Sequence, residues 1–252
     1  MNKYLTESLI KGILIIFVSI IIIVLLIKRF IYFRPSKKFI ITKGVYKPIH
    51  HKHLYGWLLD NPNSDKIILL CSGNTGNISY NEDKIMALGN LGYSVLAFDY
   101  SGYGKSNGVP TEQQLYDDAS HMTAMLRQQY QPQQIILYGT NIGGPIATYV
   151  ARRYSIPTLI LETPIANMKV FIENKFPFLS WMSFIFSEFD CSSYLYGYKG
   201  RSLLLHAVID EIIPYESTIH LQKMATLHIP LDGSHNDPIL PWEDIKAFIE
   251  QY

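Results

Sequence analysis

The sequence predicts an α/β domain, built on a mostly parallel central sheet with helices on both faces and preceded by one transmembrane helix. Its 252 residues, 48% of them hydrophobic and 17% charged, suit one domain with a small appendage. Residues 12–27 carry no charge. After about residue 45, short apolar runs alternate with helical stretches, as expected for strands covered by helices on both faces of a parallel sheet.

The first predicted element is a membrane anchor over residues 9–28, followed by a basic juxtamembrane linker over residues 29–44. At ~1.5 Å per residue the apolar segment spans roughly 28 Å, close to the ~30 Å hydrocarbon core of a bilayer. A cleaved signal peptide is the alternative, but Lys28 and Arg29 follow the segment and a small-residue cleavage site does not. We therefore expect a single-pass membrane protein, and the cations after the span favour a cytoplasmic C-terminal domain.

The charge of the chain is divided unevenly. Residues 1–44 carry eight basic residues and one acidic residue, so the remainder has a net charge of −6. Nucleic-acid binding requires clustered cations, so a nucleic acid is excluded as a partner of the globular part. The two cysteines are too few for a disulfide scaffold.

The elements of the predicted α/β-fold domain, residues 45–252, follow from the periodicity. Six apolar runs ending in turn residues are predicted as strands: 67–72, 94–100, 134–139, 158–163, 202–207 and 225–230. Five stretches between them are predicted as helices: 81–91, 111–130, 142–154, 215–223 and 242–251. Thr111 and Gln114 form a capping-box pattern at the start of the second helix. Residues 38–47 and 53–60 are predicted as antiparallel edge strands.

Five short motifs lie at the predicted strand ends, in this order: Ser72-Gly73-Asn74-Thr75-Gly76-Asn77, Asp99-Tyr100-Ser101-Gly102-Tyr103-Gly104-Lys105-Ser106, Gly139-Thr140-Asn141-Ile142-Gly143, Val208-Ile209-Asp210-Glu211-Ile212-Ile213-Pro214 and Gly233-Ser234-His235-Asn236-Asp237. The third is a G-x-S-x-G nucleophile elbow with asparagine in place of serine. Together they resemble the α/β-hydrolase superfamily over residues 45–252. The group that they resemble is the membrane-anchored serine hydrolases, with serine aminopeptidase-like and acyl-protein-thioesterase-like members.

The resemblance implies a catalytic triad and an oxyanion hole. It puts Asn141 at the nucleophile position, Asp210 at the acid and His235 at the base, with oxyanion donors from the backbone N–H groups of Asn74 and Ile142. It implies ester or thioester hydrolysis with no cofactor and no metal. Because an amide has no ionisable oxygen nucleophile, Asn141 closes the acyl-enzyme route. Asparagine also tolerates the positive φ of the elbow, so the substitution is expected to preserve the fold.

Other residues offer alternatives to this triad. Ser72 is a candidate replacement nucleophile, although a turn hydroxyl is the favoured interpretation. Cys71 and Cys191 are interpreted as packed thiols. Glu162, at the end of the strand after the elbow helix, is an alternative acid, but Asp210 fits the loop pattern better. Deamidation of Asn141 to aspartate would supply a carboxylate nucleophile, and the β-branched residue after it is expected to make this slow.

Three further features leave alternatives open. His50, His51 and His53 are close in sequence and are interpreted as a surface strand rather than a metal site. A phosphate-binding glycine loop is the alternative interpretation of residues 139–143, but this segment lacks the lysine that such a loop requires. The aromatic-rich segment 164–200 is predicted to form a small lid, over an acyl site or near lipid, with ordinary helix packing equally favoured. The expected partners are the membrane and a small or lipid-like acyl substrate, and the alternative function is non-catalytic binding of a lipid-like ligand or a protein partner.

Overall fold

The computed structural model describes residues 3–186 and 188–251 and divides into two compact units, residues 1–34 and residues 35–252. The first unit contains helix α1, Lys3–Tyr32. The part of it from Ser8 to Tyr32 is long and apolar enough to cross a membrane. Helix α1 is longer than the predicted anchor at both ends, and apart from Val24 the described apolar side chains from Leu9 to Leu26 are exposed, with Ile15 at 66%. These side chains are therefore free to face lipid.

The second unit is built on an eight-stranded sheet. Its strands are β1 (Lys47–His51), β2 (Leu54–Leu59), β3 (Ile67–Cys71), β4 (Ser94–Asp99), β5 (Ile135–Thr140), β6 (Thr158–Glu162), β7 (Arg201–Ala207) and β8 (Leu227–Leu231). Two-residue strands also occur at Arg34–Pro35 and Thr75–Gly76. The order across the sheet is β8-β7-β6-β5-β3-β4-β2-β1. Strand β2 is antiparallel to β1 and β4, and the other neighbours are parallel, which confirms a mostly parallel sheet.

Helices cover this sheet on both faces. They are α2 (Glu82–Asn90), α3 (Glu112–Leu126), α4 (Gly143–Tyr154), α5 (Met168–Lys175), α6 (Cys191–Tyr196), α7 (Ile219–Met224) and α8 (Trp242–Glu250). Within residues 3–186 and 188–251, 3₁₀ segments accompany them at Ile78–Asn81, Pro132–Gln134, Pro177–Ile185 and Tyr215–Thr218. Alternate strand residues such as Ile68 and Ile136 pack with Ile85 of α2 and Phe248 of α8 in one buried cluster. Their neighbours point to the other face, where α4 packs on β3 and β5.

The predicted elements agree with these bounds to within a few residues, with one exception. The capping box is present, because the Gln114 N–H donates to Thr111 Oγ1 at 3.1 Å. The edge strand predicted over residues 38–47 is wrong, since the strand begins at Lys47. The N–H groups of Lys43 and Gly44 donate instead to one carboxylate oxygen of Glu82, at 2.7 and 2.8 Å. Their hydrogen bonds go to a side chain, so no strand ladder forms there.

Candidate active site

The elbow between β5 and α4 holds Asn141 in a left-handed conformation, with φ of 52°. Its backbone N–H donates to the Glu162 carbonyl at 3.2 Å. The positions on either side of the elbow have no room for a side chain. A Cβ on Gly139 would overlap the Gly143 carbonyl, and a Cβ on Gly143 would overlap the Cys71 carbonyl. The Gly-x-Asn-x-Gly spacing therefore follows from close backbone contacts, and asparagine tolerates the φ that the turn imposes.

Asp210 lies just beyond the end of β7 and is directed at His235. Its Oδ2 is 2.7 Å from His235 Nδ1, and its Oδ1 accepts the N–H groups of Ile212 and Ile213 at 2.9 and 2.7 Å. Burial by itself raises the pKa of Asp210, but hydrogen bonds from His206, His235 and the backbone hold that pKa well below its ordinary value. Asp210 is therefore ionised at neutral pH and fixes the proton of His235 on Nδ1.

The side chain of Asn141 connects this histidine to a backbone donor. Because Nδ1 of His235 carries the proton, Nε2 is left as an acceptor, and Asn141 Nδ2 donates to it at 3.1 Å. The Oδ1 atom of the same carboxamide accepts the N–H of Ile142 at 2.7 Å. The predicted residues Asn141, Asp210 and His235 are thus brought into one hydrogen-bonded row. The Ile142 N–H, predicted as an oxyanion donor, is occupied by the asparagine itself.

The predicted oxyanion loop runs beside the elbow. Asn74 lines the same cleft as Asn141 and His235, and its carbonyl accepts the hydroxyl of Tyr103 at 2.9 Å. Gly73 leaves little room, since a Cβ there would lie 3.3 Å from the Cβ of Asn141. The loop therefore passes close to the nucleophile position. The role of Asn74 as a donor stays a prediction.

Asp99, the first residue of the second motif, forms a hydrogen bond with the backbone at the end of this loop. It is buried, and it accepts the N–H groups of Ile78 and Lys105 at 2.8 and 3.1 Å. A Cβ on Gly104 would overlap the Asp99 carboxylate, so the glycine is needed for the turn to close on it. Asp99 joins the end of the oxyanion loop to the turn after β4, and its role is structural.

The structure also describes the candidate replacement nucleophile Ser72 and the two cysteines. Ser72 lines a separate pocket of about 10 Å³, roughly the size of one water, rather than the cleft. Cys71 and Cys191 are fully buried, and burial raises the pKa of each thiol to about 12. Neither thiol is ionised at neutral pH, which confirms that both are packed side chains.

A cleft of about 470 Å³ opens above this row of residues. Its lining comes from the oxyanion loop, helix α2, the ends of β5 and β6 and the histidine loop. In one wall, Lys84 forms an ion pair with Glu162, whose Oε2 also accepts the Tyr138 hydroxyl at 2.6 Å. Glu162 is therefore engaged away from His235, and Asp210 is the acid that the structure places against the histidine. Sequence analysis missed Lys84, because a lysine on an amphipathic helix carries no sign of a partner 78 positions away.

The structure also describes the histidines near residue 50 and the aromatic-rich segment 164–200. His53 Nε2 lies 2.9 Å from Ser101 Oγ and 3.0 Å from Asp118 Oδ1, so it joins the β1–β2 turn to α3. In the segment 164–200, α5 packs with the 3₁₀ segment Pro177–Ile185 and α6 packs on α4. Its aromatic side chains include exposed ones, with Trp181 at 76% and Phe178 at 72% exposure. Whether the segment acts as a lid stays a prediction.

The strand–turn–helix elbow, the aspartate–histidine pair at the carboxyl ends of the strands and the eight-stranded sheet together define an α/β-hydrolase. Residues 62–210 match the model of the serine aminopeptidase, S33, family. The chain belongs to this family, as the motifs predicted.

The chain is also similar to other proteins and to solved structures over most of its length. An uncharacterized membrane protein of Saccharomyces cerevisiae is 30% identical over 222 residues, covering 79% of this chain and 76% of that protein. Human alpha/beta hydrolase domain-containing protein 17B is 29% identical over 203 residues, covering 76% of this chain and 68% of that protein. The structure of Pyrococcus furiosus esterase Pf2001 superimposes with a TM-score of 0.71 at 21% identity, covering 87% of this chain and 99% of the esterase. At that identity the likeness shows the fold.

Proposed function

We propose that the chain is a membrane-anchored α/β-hydrolase-like protein whose site has the form of an ester or thioester hydrolase, with its hydrolytic activity impaired at the covalent step. The observation that carries the proposal is the row Asn141–His235–Asp210, in which every triad position is filled and only the nucleophilic oxygen is absent. Removing a triad member typically leaves a residual ~10³–10⁴-fold acceleration over the uncatalysed rate, from the oxyanion hole and substrate binding.

The proposed substrate is a small or lipid-like acyl compound. The family and the fold of the esterase support a carbonyl substrate. The anchor is supported by the length and composition of α1 and by the relative named as a membrane protein. A cytoplasmic position of the domain rests on the cations after the helix.

Labelling by a fluorophosphonate tests the covalent step. This reagent requires a nucleophile activated by the histidine, so the wild-type chain in detergent is expected to remain unlabelled, while an active serine hydrolase in the same reaction is labelled. Labelling of the wild type that is lost in His235→Ala would overturn the proposal, because it would reveal a working nucleophile.

A non-catalytic binding protein is the second candidate. It is favoured by the Asn141 carboxamide, which satisfies both His235 and the Ile142 N–H and so leaves the site hydrogen-bonded at rest. Saturable binding of a short-chain nitrophenyl ester that the wild type does not hydrolyse, weakened in a folded Lys84→Met/Glu162→Gln double variant of the cleft wall, would support this function.

A further inference from the structure

The carboxamide of Asn141 lies in the site in the orientation that an amide substrate would adopt. In acyl-transfer enzymes the scissile carbonyl oxygen accepts backbone N–H groups and the leaving nitrogen lies beside the catalytic histidine. Asn141 reproduces both relations: its Oδ1 accepts the Ile142 N–H at 2.7 Å, and its Nδ2 lies 3.1 Å from His235 Nε2. The carboxamide of Asn141 therefore has its oxygen on a backbone donor and its nitrogen beside the histidine, as a scissile amide does.

The residue that carries this carboxamide borders the open cleft. Asn141 is only partly buried and lines the cleft of about 470 Å³ together with His235. The backbone of Asn141 is fixed by the elbow, where its carbonyl accepts the N–H groups of Gly144 and Ile165 at 3.1 and 3.2 Å. The carboxamide is therefore held in place rather than free to rotate with its backbone, which favours reaction of an oriented group.

We propose that Asn141 is a site of self-modification, at which water hydrolyses the carboxamide to the carboxylate of aspartate with His235 as base and then acid. The water oxygen forms a bond to Cγ, and His235 Nε2 takes a proton from it. The Cγ–Nδ2 bond then breaks, and the nitrogen leaves as ammonia after taking that proton from His235. Carboxamide and water become carboxylate and ammonium, and neither oxidant nor reductant takes part.

This route differs from spontaneous deamidation, in which the backbone nitrogen of the next residue attacks Cγ and a cyclic imide opens to a mixture of aspartate and isoaspartate. At Asn141 the next nitrogen belongs to Ile142, which is fully buried and β-branched, and its N–H is directed at Oδ1 rather than its nitrogen at Cγ. Hydrolysis by water therefore gives α-linked aspartate alone. The exposed Asn107, followed by Gly108, offers the unhindered comparison in the same chain.

The modification would change the site chemically. Conversion would place a negatively charged carboxylate against the His235 imidazole, where a neutral carboxamide stood before. It also gives the site a nucleophile that the encoded side chain lacks, since aspartate carboxylates form covalent ester intermediates in other enzymes. The inference concerns the fate of Asn141 itself, so it can fail while the impaired-hydrolase proposal stands, and the two are read by different measurements.

Peptide mass mapping of the full chain in detergent tests the proposal. Trypsin separates the two asparagines, because Asn141 falls in peptide 128–152 and Asn107 in peptide 106–127. During incubation at neutral pH in water enriched in heavy oxygen, peptide 128–152 is expected to gain one heavy oxygen at Asn141, in α-linked aspartate only. In ordinary water the gain is about 1 Da.

The control variants are His235→Gln and Asp210→Asn, each checked for a cooperative thermal transition. His235→Gln is expected to slow conversion at Asn141 by roughly 100-fold or more, the usual contribution of general acid–base catalysis, and to leave Asn107 unchanged. Asp210→Asn should slow it as well, which keeps the test decisive if one variant does not fold. An unchanged Asn141 in the wild type, an isoaspartate mixture at that position, or conversion at the wild-type rate in both folded variants would each overturn the proposal.

Discussion

Replacement of Asn141 by serine is the most informative perturbation of the site. The variant removes a carboxamide that contacts His235 and Ile142 and supplies a hydroxyl beside the same histidine. Serine is smaller than asparagine, so the elbow is not overpacked, but it tolerates the φ of 52° less well, at a cost of about 1 kcal/mol. With the two lost hydrogen bonds at about 1 kcal/mol each, the free energy of unfolding should fall by about 1–3 kcal/mol.

The expected gain in rate is much larger than this cost. A complete triad is worth up to roughly a millionfold in rate, or about 8 kcal/mol of activation free energy. Asn141→Ser should therefore hydrolyse a short-chain nitrophenyl ester well above the wild-type rate and become labelled by a fluorophosphonate. Asn141→Ala is the matched control, because it also frees the Ile142 N–H without adding an oxygen. A second replacement, His235→Ala, should abolish the gain.

The decisive comparison is between the serine and alanine variants. If both fold cooperatively and hydrolyse the ester equally slowly, the missing hydroxyl is not the defect. The reasoning from the hydrogen-bonded row would then be refuted, and the binding function would be preferred.

Four further results are expected. The fragment 35–252 should unfold cooperatively and should no longer be found in the membrane fraction, because it comprises the second compact unit without helix α1. A fragment without a cooperative transition in mild detergent would contradict this. Gly143→Ala should lower the melting temperature markedly, since its Cβ would overlap backbone. Lys84→Met should cost about 3–5 kcal/mol by leaving Glu162 buried and unpaired, and a second change of Glu162 to glutamine should restore much of it. Because the pKa of Asp210 is lower in the folded state, its ionised form stabilises the fold at pH values above the unfolded pKa of about 3.9, and this stabilisation is lost as the pH falls toward the folded pKa. In Asp210→Asn the free energy of unfolding should therefore depend less steeply on pH in the acid range.

The local chemistry of the chain was readable from the sequence. The order of strands and helices, the glycines at positions 139 and 143 and the positive φ of Asn141 all follow from rules that act over a few residues: periodicity, steric exclusion at Cβ and the freedom of asparagine in the left-handed region. The loop pattern also favoured Asp210 over Glu162. Each of these signals lies within one short segment, so the residues that produce it are close together in the sequence and can be recognised there.

Contacts between distant segments were decided by the tertiary structure. Glu162 is paired with Lys84 because helix α2 packs across the end of the neighbouring strand, and Glu82 satisfies the backbone that the sequence predicted as an edge strand. The Asn141 carboxamide is satisfied from both sides because the elbow and the histidine loop meet at the carboxyl edge of the sheet, 94 positions apart. A buried polar group forms its hydrogen bond with whichever partner the fold brings within about 3 Å. Because that partner can lie far away in the sequence, the spacing of residues along the chain does not predict it.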